Sequence, residues 1–225
     1  MLIPSIDLLG GRIVQLEQGK KLRVAFDDFD FWIDKFARFP LVQLIDLDAA
    51  MRQGDNGDLI SQIAKRLPCQ VGGGIRNCKQ AQRTLDAGAR RVILGSTLFS
   101  ADGSVNTSFA VELEQAIGRD RIVAGIDTKK GRIAVKGWKD EVALTPDQAI
   151  PQLEPYVSAF LYTHVDGEGL LQGFPIDVAV RLRSQTARQL IVAGGIRSQH
   201  EVDALERVGA DAVVGMAVYT NLLVI

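Results

Sequence analysis

The chain is poor in the residues that build metal and redox sites. Its 225 residues include two cysteines, Cys69 and Cys78, and two histidines, His164 and His200. The cysteine spacing fits neither a CxxC redox pair nor a zinc knuckle, so both are expected as reduced thiols. Two histidines exclude a histidine-rich metal site, although a carboxylate site for magnesium stays formally open. An excess of one charge is missing as well. Lys and Arg number 26 against 27 Asp and Glu, a net charge of −1 that offers no electrostatic footprint for nucleic acid. No uncharged apolar run approaches the ~18 residues that span a bilayer. The start, Met1 to Asp7, has no basic region and reaches an acidic residue before any export signal forms, so a cytoplasmic protein without membrane or nucleic-acid partners is expected.

Against these absences stands a repeat. Ile6-Asp7 returns as Ile126-Asp127, a shift of 127 − 7 = 120 residues, and Gly11-Arg12-Ile13 returns in the same frame as Gly131-Arg132-Ile133. Gly73-Gly74-Ile75-Arg76 recurs as Gly194-Gly195-Ile196-Arg197, shifted by 194 − 73 = 121, and Gly95 recurs as Gly215. Self-similarity at a fixed period is a property of architecture. The chain therefore reads as two copies of one half, each with a carboxylate near its start and glycines near its end.

Short runs rich in Val, Ile and Leu lie at about residues 2–7, 41–47, 69–72, 91–95, 121–126, 157–163, 189–193 and 211–215. They lack strict polar alternation, as parallel strands covered on both faces do. Most precede a stretch with helical spacing, which implies a parallel sheet. Capping boxes at Thr145-Pro146-Asp147-Gln148 and Ser198-Gln199-His200-Glu201 mark two helix starts, the first with proline at the first helical position. Residues 54–57 and 129–138 read as longer connecting loops, and the apolar end Leu222 to Ile225 either packs under the barrel or is a last helix cut short. Eight strand-helix units in ~220 residues fit a small (β/α)8 barrel. An open doubly wound sheet would need atypical edges at both ends, whereas two four-unit halves close on themselves. The expected fold is an α/β TIM barrel, a single domain over residues 1–225, made of duplicated half-barrels at about 1–120 and 121–225.

In such a barrel the working groups lie at the C-terminal ends of the strands. Asp7 and Asp127 each end an apolar run, at strands one and five, and so face one another across the mouth. Each aspartate alone reads equally well as a cap on the following loop. Two at equivalent positions of a duplicated barrel point to a general acid and a general base. Gly73-Gly74 after strand three pairs with Gly194-Gly195 after strand seven, and Gly95-Ser96 after strand four pairs with Gly215-Met216 after strand eight. One glycine turn is usually just a tight turn. Two symmetric pairs predict two phosphate sites, since glycine lets backbone N–H groups approach an anion closely. A small molecule phosphorylated at both ends would span them. Thr163 ends strand six, where its hydroxyl either bonds a reacting oxygen or satisfies its own strand end. Trp138 reads as a lid aromatic that stacks on a flat ring, or as packing beneath its loop. His164 should point away from the mouth, and His200 should be solvated.

These motifs occur in order at successive strand ends: Ile3-Pro4-Ser5-Ile6-Asp7-Leu8 with Gly10-Gly11-Arg12, Val71-Gly72-Gly73-Gly74-Ile75-Arg76, Ile126-Asp127, Lys136-Gly137-Trp138, Thr163 and Ala193-Gly194-Gly195-Ile196. Nearly end to end, the chain resembles the histidine-biosynthesis isomerases that act on ProFAR, the phosphoribosylformimino-aminoimidazole carboxamide ribotide. The resemblance implies an Amadori rearrangement of an aminoaldose to an aminoketose, without cofactor or metal. It makes Asp7 the proton acceptor and Asp127 the proton donor, with Thr163 in support and Arg12 and Trp138 among the substrate contacts. After strand six the relatives often carry Asp-Gly-Thr, whereas this chain has Glu168-Gly169-Leu170. The sister cyclase shares the barrel and both aspartates, but Val14-Gln15-Leu16-Glu17-Gln18-Gly19 lacks its lysine. An isomerase that also turns over phosphoribosylanthranilate stays open, as does a noncatalytic phosphate-binding barrel. A monomer is expected.

Overall fold

The structure is a computed structural model that describes residues 1–225. Its strands, in chain order, are β1 (Leu2–Leu9), β2 (Arg12–Glu17), β3 (Lys21–Phe26), β4 (Val42–Asp46), β5 (Cys69–Gly72), β6 (Arg91–Leu94), β7 (Ile122–Lys129), β8 (Arg132–Val135), β9 (Asp140–Glu141), β10 (Ala159–His164), β11 (Gln189–Ala193) and β12 (Ala210–Val214). Eight of them, β1, β4, β5, β6, β7, β10, β11 and β12, pair in parallel in that order. The last returns to the first through Leu2↔Ala212, Ile3↔Val213 and Pro4↔Val214, which closes the TIM barrel. The helices are α1 (Phe29–Phe36), α2 (Leu47–Met51), α3 (Gly57–Arg66), α4 (Cys78–Asp86), α5 (Thr107–Ile117), α6 (Pro146–Leu153), α7 (Ile176–Arg183), α8 (Gln199–Val208) and α9 (Met216–Tyr219). Both marked helix starts hold. The Gln148 side chain accepts the Thr145 N–H, and the Ser198 hydroxyl accepts the Glu201 N–H. No helix is long and apolar enough to cross a membrane.

Two hairpins follow barrel strands β1 and β7, the second within a stretch expected as a loop. β1 runs on past Asp7 to Leu9 and turns back as β2, with Asp7 opposite Val14, and β3 then pairs with β2. In the second half β7 runs on to Lys129, and β8 pairs back through Thr128↔Ile133 inside the stretch read as a loop. The turns explain both. Gly10 and Gly11 have φ +58° and +73°, and Lys130 and Gly131 have +49° and +79°. Two consecutive positive φ values make the hairpin turn whose twist matches the strands it joins. The chain end is divided: Leu223 is only 3% exposed and joins the core, while Val224 is 84% exposed.

Strand alternation divides the interior. Inward-pointing Ile3, Ile93, Val123, Leu161, Ile191 and Val213 belong to a small cluster of 9 buried residues along the barrel axis. A cluster of 51 fills the space between strands and helices. Below the axial cluster lies a polar layer built from the first or second residue of five strands, Gln43, Gln70, Arg91, Gln189 and Asp211. Above it lies the mouth.

Candidate active site

Alternation decides which side chains reach the mouth. On β1 the inward face carries Ile3, Ser5 and Asp7, and on β7 it carries Val123, Gly125 and Asp127. Three barrel strands separate β1 from β7 in either direction, so the two aspartates oppose one another. Thr163 on β10 stands in direct register with Asp127.

Each aspartate has its own partners. Ser5 Oγ donates to Asp7 Oδ1 at 2.9 Å, and Gln15 Nε2 lies 3.4 Å from Asp7 Oδ2. Trp138 Nε1 donates to Asp127 Oδ2 at 2.7 Å. A third carboxyl, Glu168, follows the short turn after β10 and faces both aspartates, with no side-chain hydrogen bond of its own. Burial lifts Asp7 to about 6, against the hydrogen bonds from Ser5 and Gln15 that pull it down. Burial raises Asp127 too, opposed by Trp138 and the Thr163 hydroxyl. Glu168 is pushed up to about 8, by burial first and then by the like charges of Asp7 and Asp127. The carboxyls of the mouth are thus pushed up to different extents, Asp7 to about 6 and Glu168 to about 8, the kind of separation that acid-base catalysis uses.

Three connections cover these groups. The Trp138 ring lies on Gly19, where an added Cβ would sit 2.7 Å from the ring, so only glycine admits the indole. Gln18 N donates to the Glu168 carbonyl at 3.0 Å, and Lys130 N donates to Asp166 Oδ2 at 2.7 Å. The segments after β1, β7 and β10 thus interlock above the carboxyls. Trp138 reaches the site as a hydrogen-bond donor and as a lid packed on its neighbour.

The glycines come in matched pairs. Gly73 has φ +99°, and a Cβ there would meet the Asp46 carbonyl oxygen at 2.1 Å; Gly194 has φ +106°, and a Cβ would meet that of His164 at 2.4 Å. Both pass under the end of the preceding barrel strand, which no other residue allows. Gly74 and Gly195 follow with φ +71° and +83°. Gly95 (φ −113°, ψ −97°) opens the turn Ser96–Leu98, and Gly215 (φ −109°, ψ −89°) opens α9 at Met216. The first N–H groups of such turns lack partners within the helix. Ser96 Oγ is engaged by Lys136 N at 2.7 Å. Arg12 is not brought to the mouth: its guanidinium forks onto Asp27 at 2.6 and 2.8 Å on an exposed surface. His164 packs its ring against Phe174, and His200 is exposed.

The sequence reading missed three contributors. Gln15, only 3% exposed within Ile13-Val14-Gln15-Leu16, carried a signal, since an amide inside an apolar strand needs a partner. Ser5 carried one in its spacing, two residues before Asp7 on the same face. Glu168 stood out as a departure from the relatives, but nothing local placed its carboxyl beside both aspartates.

A family model described as "Histidine biosynthesis protein" matches residues 1–223. A relative from Methanocaldococcus jannaschii is 35% identical, over 99% of this chain and 95% of its own. One from Archaeoglobus fulgidus is 37% identical (98% and 93%), and one from Methanoregula boonei is 36% identical (98% and 94%). All three are named 1-(5-phosphoribosyl)-5-((5-phosphoribosylamino)methylideneamino)imidazole-4-carboxamide isomerase.

Proposed function

The chain belongs to the family of histidine biosynthesis proteins, and from that premise we propose that it catalyses the isomerisation its relatives are named for, an Amadori rearrangement of the aminoaldose ProFAR to its aminoketose. The observation that carries this reading is the trio at the mouth: Asp7 and Asp127 on opposite strands, with the Glu168 carboxyl near enough to feel the charge of both.

The reaction needs a proton delivered to the ribose ring oxygen and a proton taken from C2. Protonation opens the ring to a Schiff base. Removal of the C2 proton gives an enolamine, which ketonises. No electron leaves the substrate, because the aldehyde carbon is reduced as C2 is oxidised. Asp7, ionised above about pH 6, is the base. The resemblance makes Asp127 the acid, but the local chemistry favours Glu168 for that step. Burial raises Asp127, but the hydrogen bonds from Trp138 and Thr163 oppose that rise, whereas the Glu168 carboxyl has no such donor and is pushed up to about 8. Asp127 and Thr163 then orient the sugar. Each positioned proton transfer contributes ~10² to 10⁴ in rate. The relatives' substrate name contains two phosphoribosyl groups. The turns at Gly73-Gly74 with Gly95-Ser96, and at Gly194-Gly195 with Gly215-Met216, are matched cradles for two such phosphates.

The test is turnover of ProFAR by the purified protein, followed by absorbance, with phosphoribosylanthranilate as a second substrate. A bell-shaped pH profile with limbs near 6 and 8 is expected. A flat trace with both substrates overturns the reading.

A further inference from the structure

Asp7 is held by a chain of contacts that leads away from the mouth to the last helix. Ser5 Oγ donates to Asp7 Oδ1 at 2.9 Å, and the Ser5 carbonyl accepts the phenol of Tyr219 at 3.0 Å. Ser5 is 4% exposed and Tyr219 5%. Tyr219 is clamped in turn by aromatic rings: Trp32 at 4.3 Å, Phe26 stacked at 5.6 Å and Phe36 edge-on at 6.1 Å. The one acceptor for the Tyr219 hydroxyl is the Ser5 carbonyl.

Gln15 holds the second carboxylate oxygen. Its amide nitrogen is 2.8 Å from the Val14 carbonyl and 3.4 Å from Asp7 Oδ2. Its amide oxygen lies where a Cβ on Gly215 would be, 2.2 Å away, so Gly215 leaves the room that this side chain occupies. Both grips on Asp7 therefore end on the segment from Gly215 to Tyr219, one through Gln15 and one through Ser5.

Taking Asp7 as the base, we propose that Ser5 and Tyr219 are positioning residues for the reaction. Ser5 aims the carboxylate and stabilises its charged form, and Tyr219 fixes the Ser5 backbone to α9. Neither is placed to touch the reacting atoms. A hydrogen bond to the charged form favours that form, so its loss raises the carboxyl. The titratable groups facing Asp7 are Glu168 from the segment after β10 and Tyr219 from α9. Tyr219 is held far above its usual range by burial and by the charge of Asp7, so it stays a neutral donor throughout the working range.

The test compares the pH profile of kcat/KM for ProFAR between the unaltered chain, Ser5→Ala, Ser5→Thr and Tyr219→Phe. Ser5→Ala should move the acidic limb up by about one unit, which is about a tenfold loss at pH 5 and about twofold near pH 7, with KM little changed. Ser5→Thr keeps a hydroxyl and should restore the limb. Tyr219→Phe should lower kcat less than tenfold and move the limb in the same direction. An acidic limb unmoved in Ser5→Ala, or a loss carried by KM alone, overturns the proposal. If Ser5→Ala folds poorly, Tyr219→Phe decides alone, because the phenyl ring keeps the aromatic clamp. Absence of turnover in the unaltered chain defeats the isomerase reading instead.

Discussion

The two ends of the barrel interior are both polar, but their polar groups are paired differently. At the floor, Gln70 donates to Gln43 at 2.9 Å, Arg91 donates to Gln70 at 3.1 Å and to Gln189 at 2.7 Å, and Gln189 donates to Asp211 at 2.6 Å. The chain of donors runs from strand to strand and its charges are of opposite sign. One donor, Arg91 Nη2, has no protein partner. At the mouth three carboxyls face each other, and the Glu168 carboxyl has no hydrogen-bond partner. The floor is arranged to be satisfied, and the mouth is arranged to remain reactive. Side chains with the same capacity for hydrogen bonding thus stabilise the fold at one end and, by burial and like charge, are raised toward neutral pH at the other. This matches the general division of such barrels into a stabilising bottom and a working top.

Substitutions at each end test that division. The largest effect is expected from Asp7→Asn, which should lower kcat for ProFAR by ~10³ to 10⁴ while leaving the melting temperature unchanged or higher. A matching loss of fold by circular dichroism would make Asp7 structural. Glu168→Gln comes next, with kcat reduced about a hundredfold and the limb near pH 8 removed from the profile. Survival of that limb would return the acid role to Asp127. At the floor, Arg91→Leu should leave the oxygens of Gln70 and Gln189 without their donor, cost about 2 kcal/mol and lower the melting temperature by roughly 4–8 °C, with kcat kept at temperatures where the protein is folded. A kcat effect without a stability effect there would break the comparison. Trp138→Phe should reduce kcat/KM about tenfold through the lost hydrogen bond to Asp127.

The smallest effect concerns stability against pH. Glu168 has a folded value of about 8, raised from 4.5, so its contribution to stability is complete below about pH 4 and is lost as pH rises through 8. Glu168→Gln removes that loss. The variant should melt a few degrees above the parent at pH 9, with the gap narrowing as the pH is lowered. An equal gap at pH 9 and at about pH 4 would mean that the carboxyl is not strained by its neighbours.

The duplication made much of this legible. The shift that carries Asp7 onto Asp127 and Gly95 onto Gly215 specifies equivalent strand ends, and the structure gives Gly95 and Gly215 nearly the same unusual backbone angles. The hairpins were less legible, because Arg12 to Phe26 alternates weakly and its turn signal, Gly10-Gly11, sits inside the motif that marked the site. Glu168 and Gln15 could be seen as unusual residues but not as neighbours of Asp7.

What the sequence determined by itself is periodic and local: the order of the eight barrel strands, the repeat that closes them into a barrel, and the residues near their ends. Periodicity sets the face on which a side chain lies, so Asp7, Asp127 and Thr163 were assigned to the mouth from alternation and strand ends. The tertiary structure alone decided who meets whom across the mouth. Glu168 stands 41 residues from Asp127 and 161 from Asp7 (168 − 127 and 168 − 7), and its proton is held by burial and by two charges that reach it through space. Desolvation and Coulomb repulsion depend on distance in three dimensions, which no spacing along the chain encodes.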